Sequence, residues 1–327
     1  GETTFAYNNQ QQLPTVTAGN LANSDKVTVT VVANKESVNV GEYVATATTL
    51  SNDNYKLAET NLTTNFVINK ADYDMTSITF ADKTVKTTDS LEDKKLAISG
   101  TLPTGLDGVQ LSVSYVDNDN TERGVYTVTA KFSTTSTNYN TPSDMTAVLT
   151  ILWVRDSEKE SGSDNEFVIV TSETGIDPTL TLKVDVVKID NNDSQYKEVT
   201  DSIKKEDSFN ANLDKIFGVY DVSLIDQNDV KVQPDGTIKV YMTIPEEIKN
   251  CEFRIYHIHN GVASKADYVI DDGYAVVETD ELSEFVFVYE QTSLLPWIIV
   301  LSVISALGLA GIVLLLVKNK KDKQGRE

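Results

Sequence analysis

Alternation of apolar and polar residues dominates the first half of the chain. Val29 and Val31 alternate with threonines, and Val128, Ala130 and Phe132 alternate with Thr and Lys. A period of two places successive side chains on opposite faces of a strand, which is typical of strands that bury one face in a core. These segments are therefore predicted to be half-buried β-strands.

Apolar runs continue the strand pattern beyond residue 165. We predict strands there at 167–170, 180–187, 219–224, 237–244, 253–258 and 285–289. The best helical candidate before residue 294 is segment 199–216, but its polar residues scatter around a helical wheel, so we expect at most one short helical turn. The pattern as a whole predicts an all-β fold before residue 294.

The pattern changes at the carboxyl end, where a charge-free segment begins at Leu294 and ends at Val317. A helix of this length spans roughly 36 Å, whereas the hydrocarbon core of a bilayer is about 30 Å thick. A buried core helix is the alternative, but such a helix usually has a polar face. We therefore predict a single transmembrane helix over 293–317, with the lipid bilayer as its partner.

The flanks of this helix predict its orientation. Basic residues are absent between Lys265 and Lys318 but recur through the tail at 318–327. The positive-inside rule then places the tail in the cytoplasm and the rest of the chain outside the cell membrane. Because the chain starts without methionine, we interpret it as a fragment of a longer single-pass protein.

An internal repeat organises the first half of the chain. Three pairs of segments match at nearly one spacing: 41–47 with 124–130, 54–55 with 138–139, and 27–31 with 109–113. Two copies of one β unit are therefore predicted, a truncated copy at 1–70 and a complete copy at 71–153. We expect Gly41 and Gly124 to supply a positive φ at a hairpin. The tyrosine two residues later should pack at the core edge, with its hydroxyl near the backbone.

These segments resemble a known family. The blocks are ITFADK at 78–83, LAISGTLP at 96–103, GVYTVTA at 124–130 and NY at 138–139. Together they are similar to the MBG-type repeats, a mostly bacterial immunoglobulin-like family found in tandem in large surface proteins. The resemblance implies tandem Ig-like β-sandwich domains. An early turn of such repeats reads Tyr7-Asn8-Asn9 in the first copy and Ala81-Asp82-Lys83 in the second, without the usual glycine.

A polar segment follows the second copy. Residues 154–165 carry Ser, Glu, Lys, Gly, Asp and Asn, with no apolar anchor between 156 and 165, and are predicted to form a flexible linker. A third module is expected at 166–292. Its segments VYDVSL at 219–224 and IYHI at 255–258 resemble a membrane-proximal β domain of Gram-positive surface proteins, which implies a position near the membrane.

Charge and cysteine content narrow the functional classes. The formal net charge is −21, and an acidic surface without Lys and Arg clusters excludes nucleic acid as a partner. Cys251 is the single cysteine, so no internal disulfide can form. Because animal ectodomains of this size usually carry several disulfides, a bacterial surface is favoured.

Few residues suggest a reactive site. His257 and His259 share one face of a predicted strand and could hold a metal, although structural roles are the stronger interpretation. Oxygen-rich segments at 117–120 and 190–193 lack the spacing of a calcium loop and are interpreted as turns. The neighbours Glu246 and Glu247 and the lone Cys251 show no catalytic pattern. We therefore predict no catalytic, cofactor-binding or metal-binding residues, and no cofactor.

Two functional hypotheses remain. The first is a non-catalytic cell-surface stalk and membrane anchor that displays a distal adhesive region, whose partner would be an extracellular protein or glycan. The second is the anchoring part of a surface glycosidase or protease whose catalytic domain lies upstream of Gly1. The upstream sequence discriminates them, because further repeats favour the stalk and a catalytic domain favours the enzyme.

Overall fold

The computed structural model describes residues 1–22, 24–161, 165–187, 194–206, 209–210 and 214–290. The chain divides into two compact units, Gly1–Leu152 and Trp153–Glu327. The described part is mostly β-strand with one α-helix, which confirms the all-β class. No helix within it is long and apolar enough to cross a bilayer. The transmembrane helix and tail predicted at 293–317 and 318–327 lie outside the described residues.

The first unit contains one strand arrangement twice. Its strands are β1 (Thr4–Ala6), β2 (Val29–Ala33), β3 (Gly41–Leu50), β4 (Thr63–Asn69), β5 (Lys83–Lys86), β6 (Ser112–Val116), β7 (Gly124–Ser133) and β8 (Met145–Lys159). The sheet order is β1-β4-β3-β2 in the first repeat, and β5, β8, β7 and β6 follow the same order in the second. In both, the first strand runs parallel to the last and the other pairs are antiparallel.

The strand register repeats together with the sequence. Tyr43 lies opposite Phe66 in the first repeat, and Tyr126 lies opposite Leu149 in the second. The apolar positions of the alternating segments face inward, so that Val128 and Ala130 are fully buried. The period of two read from the sequence therefore corresponds to one buried face of each sheet.

The two hairpin glycines differ from each other. Gly41 has a φ of 157°, as predicted, but Gly124 has no positive φ, so the prediction is wrong there. The ring of Tyr126 lies over Gly124, and a Cβ at this glycine would come within 2.7 Å of the phenol group. Two residues apart on a strand share a face, so glycine leaves room for the ring. The Tyr126 hydroxyl donates to the Glu122 carbonyl oxygen at 3.1 Å.

The second unit is a sandwich of two sheets. Its remaining strands are β9 (Glu166–Ile176), β10 (Thr181–Val187), β11 (Asp214–Ile225), β12 (Lys231–Val232), β13 (Ile238–Thr243), β14 (Phe253–His259), β15 (Val262–Ala266), β16 (Tyr268–Asp271), β17 (Tyr274–Thr279) and β18 (Glu284–Glu290). One sheet has the order β10-β11-β18-β14-β15, with β12 paired to β11. In the other, β16, β17, β13 and β9 are followed by residues 153–159 of β8.

A shared core holds the two sheets together. Trp153, Met242 and Phe287 are among its fully or almost fully buried side chains, and they come from both sheets. The Trp153 indole Nε1 donates to the Leu180 carbonyl oxygen at 3.3 Å, which satisfies its only polar group. All six strands predicted beyond residue 165 overlap observed strands.

One helix, α1 (Ser194–Glu206), covers the outer face of the sheet that contains β14 and β18. The predicted single turn within 199–216 is therefore corrected to a helix of 13 residues. Val199 and Ile203 lie four residues apart and are buried against Tyr256 and neighbouring apolar side chains. Because α1 covers this face, β18 buries both of its faces and carries a continuous apolar run.

The segment predicted as a flexible linker also differs from expectation. Strand β8 extends to Lys159 and pairs with β9, where Ser157 lies opposite Ile169. The Ser157 hydroxyl donates to Glu166 Oε1 at 2.6 Å, and Arg155 forms an ion pair with the same carboxylate. Polar cross-strand contacts therefore order residues 156–159 without apolar anchors, whereas residues 162–164 lie outside the described part of the chain.

Candidate functional site

The two repeats of the first unit meet at residues 136–140, which we call the Asn-Tyr corner. Ala71 follows β4 and pairs with Tyr139 in parallel. The Ala71 N–H donates to the Asn138 carbonyl oxygen, and the Asn140 N–H donates to the Ala71 carbonyl oxygen, both at 2.9 Å. Asn140 Nδ2 also donates to Asp72 Oδ1 at 2.7 Å. The corner thus holds the segment that joins the repeats.

The side chain of Asn138 extends this contact to the first repeat. Its Oδ1 accepts a hydrogen bond from the Val40 N–H at 3.0 Å, and its Nδ2 donates to Asn39 Oδ1 at 3.2 Å. Asn39 and Val40 directly precede β3, and Asn138 is buried. A buried amide that uses both its acceptor and its donor has one favourable orientation, so this side chain fixes the loop against the corner.

The carboxylate of Asp107 stabilises the Asn-Tyr corner through hydrogen bonds. It accepts hydrogen bonds from the Ser136 hydroxyl and from the Val109 N–H. Burial alone would raise the pKa of Asp107, but the hydrogen bonds from Ser136, Val109 and Asn138 outweigh it and hold the pKa below its usual value. Ser136 Oγ in turn accepts the Asn138 N–H at 2.9 Å, so the ionised carboxylate orients the corner through Ser136.

Three tyrosines fill the space beside this polar network. The ring centroid of Tyr139 lies 4.5 Å from that of Tyr73 and 5.6 Å from that of Tyr7. The Tyr139 hydroxyl accepts the Leu106 N–H at 2.9 Å, and the Tyr73 hydroxyl donates to the Val109 carbonyl oxygen at 3.2 Å. Burial, then Asp107 and Tyr139, raises the pKa of Tyr7, which stays neutral at physiological pH.

The arrangement around Asn138 is suited to holding the two repeats in one fixed orientation. Its polar groups are a carboxylate, amides and hydroxyls whose hydrogen bonds are made within the unit. Sequence reasoning missed Asp107, Ser136 and Asn39 as members of this site, and it named Asn138 and Tyr139 only as repeated residues. The recurrence of the Asn-Tyr pair was the one signal that pointed to the corner.

The predicted histidine pair lies on β14. The ring of His257 stacks on Phe285 with 4.6 Å between centroids. Ser283 Oγ donates to the Ile258 carbonyl oxygen at 2.7 Å, so it accepts from His257 Nε2 at 2.8 Å. His259 Nδ1 lies 3.7 Å from Glu281 Oε2. No group of three or more His, Cys, Asp or Glu side chains with metal-binding geometry occurs among the described residues.

The titration of His257 reflects its half-buried position. Burial lowers the pKa of His257 most strongly, and the neighbouring His259 lowers it further. The negative charges of Glu281 and Asp280 act in the opposite direction but do not compensate. A neutral His257 that donates through Nε2 matches the structural interpretation of this residue.

The oxygen-rich segment at 117–120 forms the turn between β6 and β7. Asp117 adopts a φ of 58°, and its carbonyl oxygen accepts a hydrogen bond from Asn120 Nδ2 at 2.7 Å. Asn118 pairs with the backbone of Leu96, accepting its N–H and donating to its carbonyl oxygen, both at 2.8 Å. These contacts agree with a turn. Segment 190–193 lies outside the described residues.

The remaining residues considered for chemistry lie between β13 and β14. Glu246 pairs with Lys249 at 3.0 Å on the surface, and the Glu247 carbonyl oxygen lies 4.0 Å from Cys251 Sγ. Cys251 is half-buried and packs at the edge of the sandwich core. Backbone hydrogen bonds close the turn at 245–251, from the Ile248 N–H to the Pro245 carbonyl oxygen at 3.0 Å and from the Cys251 N–H to the Ile248 carbonyl oxygen at 2.9 Å.

Comparison with known proteins identifies no relative of this chain. No protein-family model, curated protein or solved structure matches this chain.

Proposed function

We propose that the protein is a non-catalytic cell-surface stalk and membrane anchor that displays a distal binding region. The observation that supports this proposal best is the contact at the Asn-Tyr corner. The Asn138 amide and the contact between Tyr7 and Tyr139 hold one repeat against the next, and backbone pairing of Ala71 fixes the segment that joins them. A stalk needs such a joint, because a free hinge between repeats would let the distal region fold back.

An immunoglobulin-like character of the repeats is part of this proposal. In each repeat the first strand pairs in parallel with the last, and a tyrosine near the start of the third strand bonds back to the backbone. The Tyr43 hydroxyl donates to the Asn39 carbonyl oxygen at 2.6 Å, four residues upstream, as Tyr126 does to Glu122. A tyrosine that bonds in this way at the start of a strand is a hallmark of immunoglobulin-like sandwiches. It supports the resemblance to MBG-type repeats.

The anchoring part of the proposal rests on the sequence. Residues 294–317 are uncharged and residues 318–327 are basic, which favours insertion with the carboxyl terminus in the cytoplasm. The described units would then lie outside the cell, with residues 166–290 nearest the membrane. A stalk and anchor of this kind acts without a cofactor or a catalytic group.

Cell fractionation tests the anchor. The full chain, with one epitope before Gly1 and another after Glu327, is expected in the membrane fraction and should resist extraction at high salt. Protease added to intact cells should remove the first epitope and leave the second. In a matched variant with Leu301→Asp and Leu307→Asp, each charge adds about 3 kcal/mol to the insertion free energy, so we expect release. Recovery of the unsubstituted chain in the soluble fraction would refute the proposal.

A further inference from the structure

The first repeat has a corner of the same geometry as the Asn-Tyr corner, formed by residues 52–56. The Ala22 N–H donates to the Tyr55 hydroxyl at 2.9 Å, as the Leu106 N–H does to Tyr139. The Asn54 N–H donates to Asn52 Oδ1 at 2.9 Å, as the Asn138 N–H does to Ser136 Oγ. We call residues 52–56 the first-repeat corner.

The backbone around the two corners matches as well. Ser24 has a φ of 63° and Gly108, 84 positions later, has a φ of 78°. The Ala22–Tyr55 and Leu106–Tyr139 bonds are separated by the same 84 positions. The first-repeat corner therefore has the local fold of a corner that binds another repeat.

The two corners differ in what contacts them. Asn138 and Tyr139 are 6% exposed, whereas Asn54 is exposed and Tyr55 is half-buried. At Asn138 the contacts come from Ala71 and from the loop before β3. Among the described residues, none donates to the side-chain amide of Asn54 or accepts from it. The amide thus presents to solvent the acceptor and the donor that Asn138 uses in the existing joint.

The geometry points to the first-repeat corner as a docking surface for a further repeat of the same type. The segment that joins the occupant to the first repeat would pair with the backbone of residues 54–56, as Ala71 pairs with Asn138 and Asn140. The occupant itself would donate a loop N–H to the Asn54 amide, as Val40 donates to Asn138. This inference depends on the repeat geometry and not on the membrane anchor, so either can fail without the other.

Charge supports the same occupant. Lys56 is the counterpart of Asn140, because both follow the tyrosine of their corner. Asn140 donates to Asp72 of the docked segment. In a segment with an aspartate at this position, an ammonium group at Lys56 would make an ion pair where Asn140 makes a neutral donor contact. A docked segment of the 71–73 type therefore fits the corner electrostatically.

Two N-terminal extensions of the full chain test this docking, each placed before Thr4 so that the spacing of the repeat is preserved. The short extension carries residues 70–83 and supplies only the joining segment. The long extension carries residues 1–83 and supplies a second copy of the first repeat together with that segment. The measurement is backbone hydrogen exchange at residues 54–56, compared with the unextended chain. We expect exchange to slow at least tenfold in the long extension.

Two substitutions make the outcome specific. Asn54→Ala in the acceptor repeat should remove most of the slowing in the long extension, whereas Asn138→Ala, which weakens the existing joint, should leave that slowing in place. Unchanged exchange at 54–56 in both extensions would overturn the inference. Slowing of the same size in both extensions would also overturn it, since the joining segment would then be sufficient without a further repeat. Because the short extension adds no domain, it also gives a result if the long extension misfolds.

Discussion

Gly41 and Gly124 occupy equivalent positions of the two repeats, but glycine is required there for different reasons. Gly41 is required by its φ of 157°, whereas Gly124 is required by the ring of Tyr126 above it. Gly124→Ala should place a methyl group about 2.7 Å from the phenol group and displace the ring. The displaced atoms are the far end of a half-buried side chain that would lose its hydrogen bond to Glu122, so we expect a cost of about 0.5–1.5 kcal/mol in the free energy of unfolding.

The prediction for Gly124 can be isolated with a double-mutant cycle. In a Tyr126→Ala background the collision is absent, so Gly124→Ala should be nearly neutral. Chemical denaturation of the four variants gives the coupling energy between the two positions. A cost of Gly124→Ala that is equal in both backgrounds would contradict the proposed role of the ring.

His257 makes a pH-dependent contribution to stability. Its pKa is lowered in the folded protein by burial and by His259, while the unfolded chain titrates near 6.5. The folded state therefore resists protonation, so the contribution is complete above about pH 6.5 and is lost as the pH falls toward the folded pKa. We expect the free energy of unfolding to decrease between pH 7.5 and pH 5.5.

The variant His257→Gln should flatten this dependence, because glutamine can still donate to Ser283 but does not titrate. His259→Gln is the matched control on the same face of β14, and it should retain a decrease with falling pH. Denaturation midpoints measured at several pH values distinguish the two variants. An undiminished slope in His257→Gln would assign the pH dependence to other groups.

Helix α1 depends on packing more than on its own sequence. Ile203 is fully buried against the outer face of the sheet, although most of the helix is polar. Ile203→Ala should destabilise the second unit by about 2–5 kcal/mol, the range for large-to-small changes in a core. Lys205→Ala, on the exposed side of the same helix, should change stability by less than about 0.5 kcal/mol. Chemical denaturation monitored by Trp153 fluorescence measures both effects.

The same packing explains what the sequence could and could not predict about the elements. The buried strands of the sandwich were predicted because continuous apolar runs such as that of β18 need both faces covered. Helix α1 was underestimated because Val199 and Ile203 give only a short apolar stripe, and tertiary contacts stabilise the rest. The end of β8 was missed because Arg155, Ser157 and Glu166 replace apolar contacts with polar ones.

Strand β16 of the hairpin β16–β17 could not be predicted from an alternation of apolar and polar residues. Val269 and Ile270 are both about two-thirds exposed, so this strand does not alternate between a buried and a solvated face. Its place in the sheet comes from backbone pairing with β17, where Val269 lies opposite Val276. Edge strands of this kind carry little periodic signal, since only one side of the strand is paired.

At the scale of the whole molecule, the repeat could be predicted from the sequence, but the contact between the two repeats could not. The recurrence of Asn54-Tyr55 as Asn138-Tyr139 predicts that the pair has a shared role. It cannot predict that Asn138 binds Asn39 and Val40, about 100 residues earlier in the chain. Such contacts depend on how two folded repeats meet, which no local pattern encodes.

The joint itself gives the last prediction. Asn138→Ala removes the acceptor for the half-buried Val40 N–H and the donor to Asn39. The loss of a hydrogen bond of this kind typically costs about 0.5–1.5 kcal/mol, and here the cost falls on the contact between the repeats. Hydrogen exchange of the full chain in detergent micelles should therefore show faster opening of β3 and β4, with β7 and β8 less affected. The matched variant Asn54→Ala changes an exposed counterpart and should leave exchange in β3 and β4 unaltered. Equal exchange in the two variants would mean that the repeats fold as neighbours without a stabilising joint.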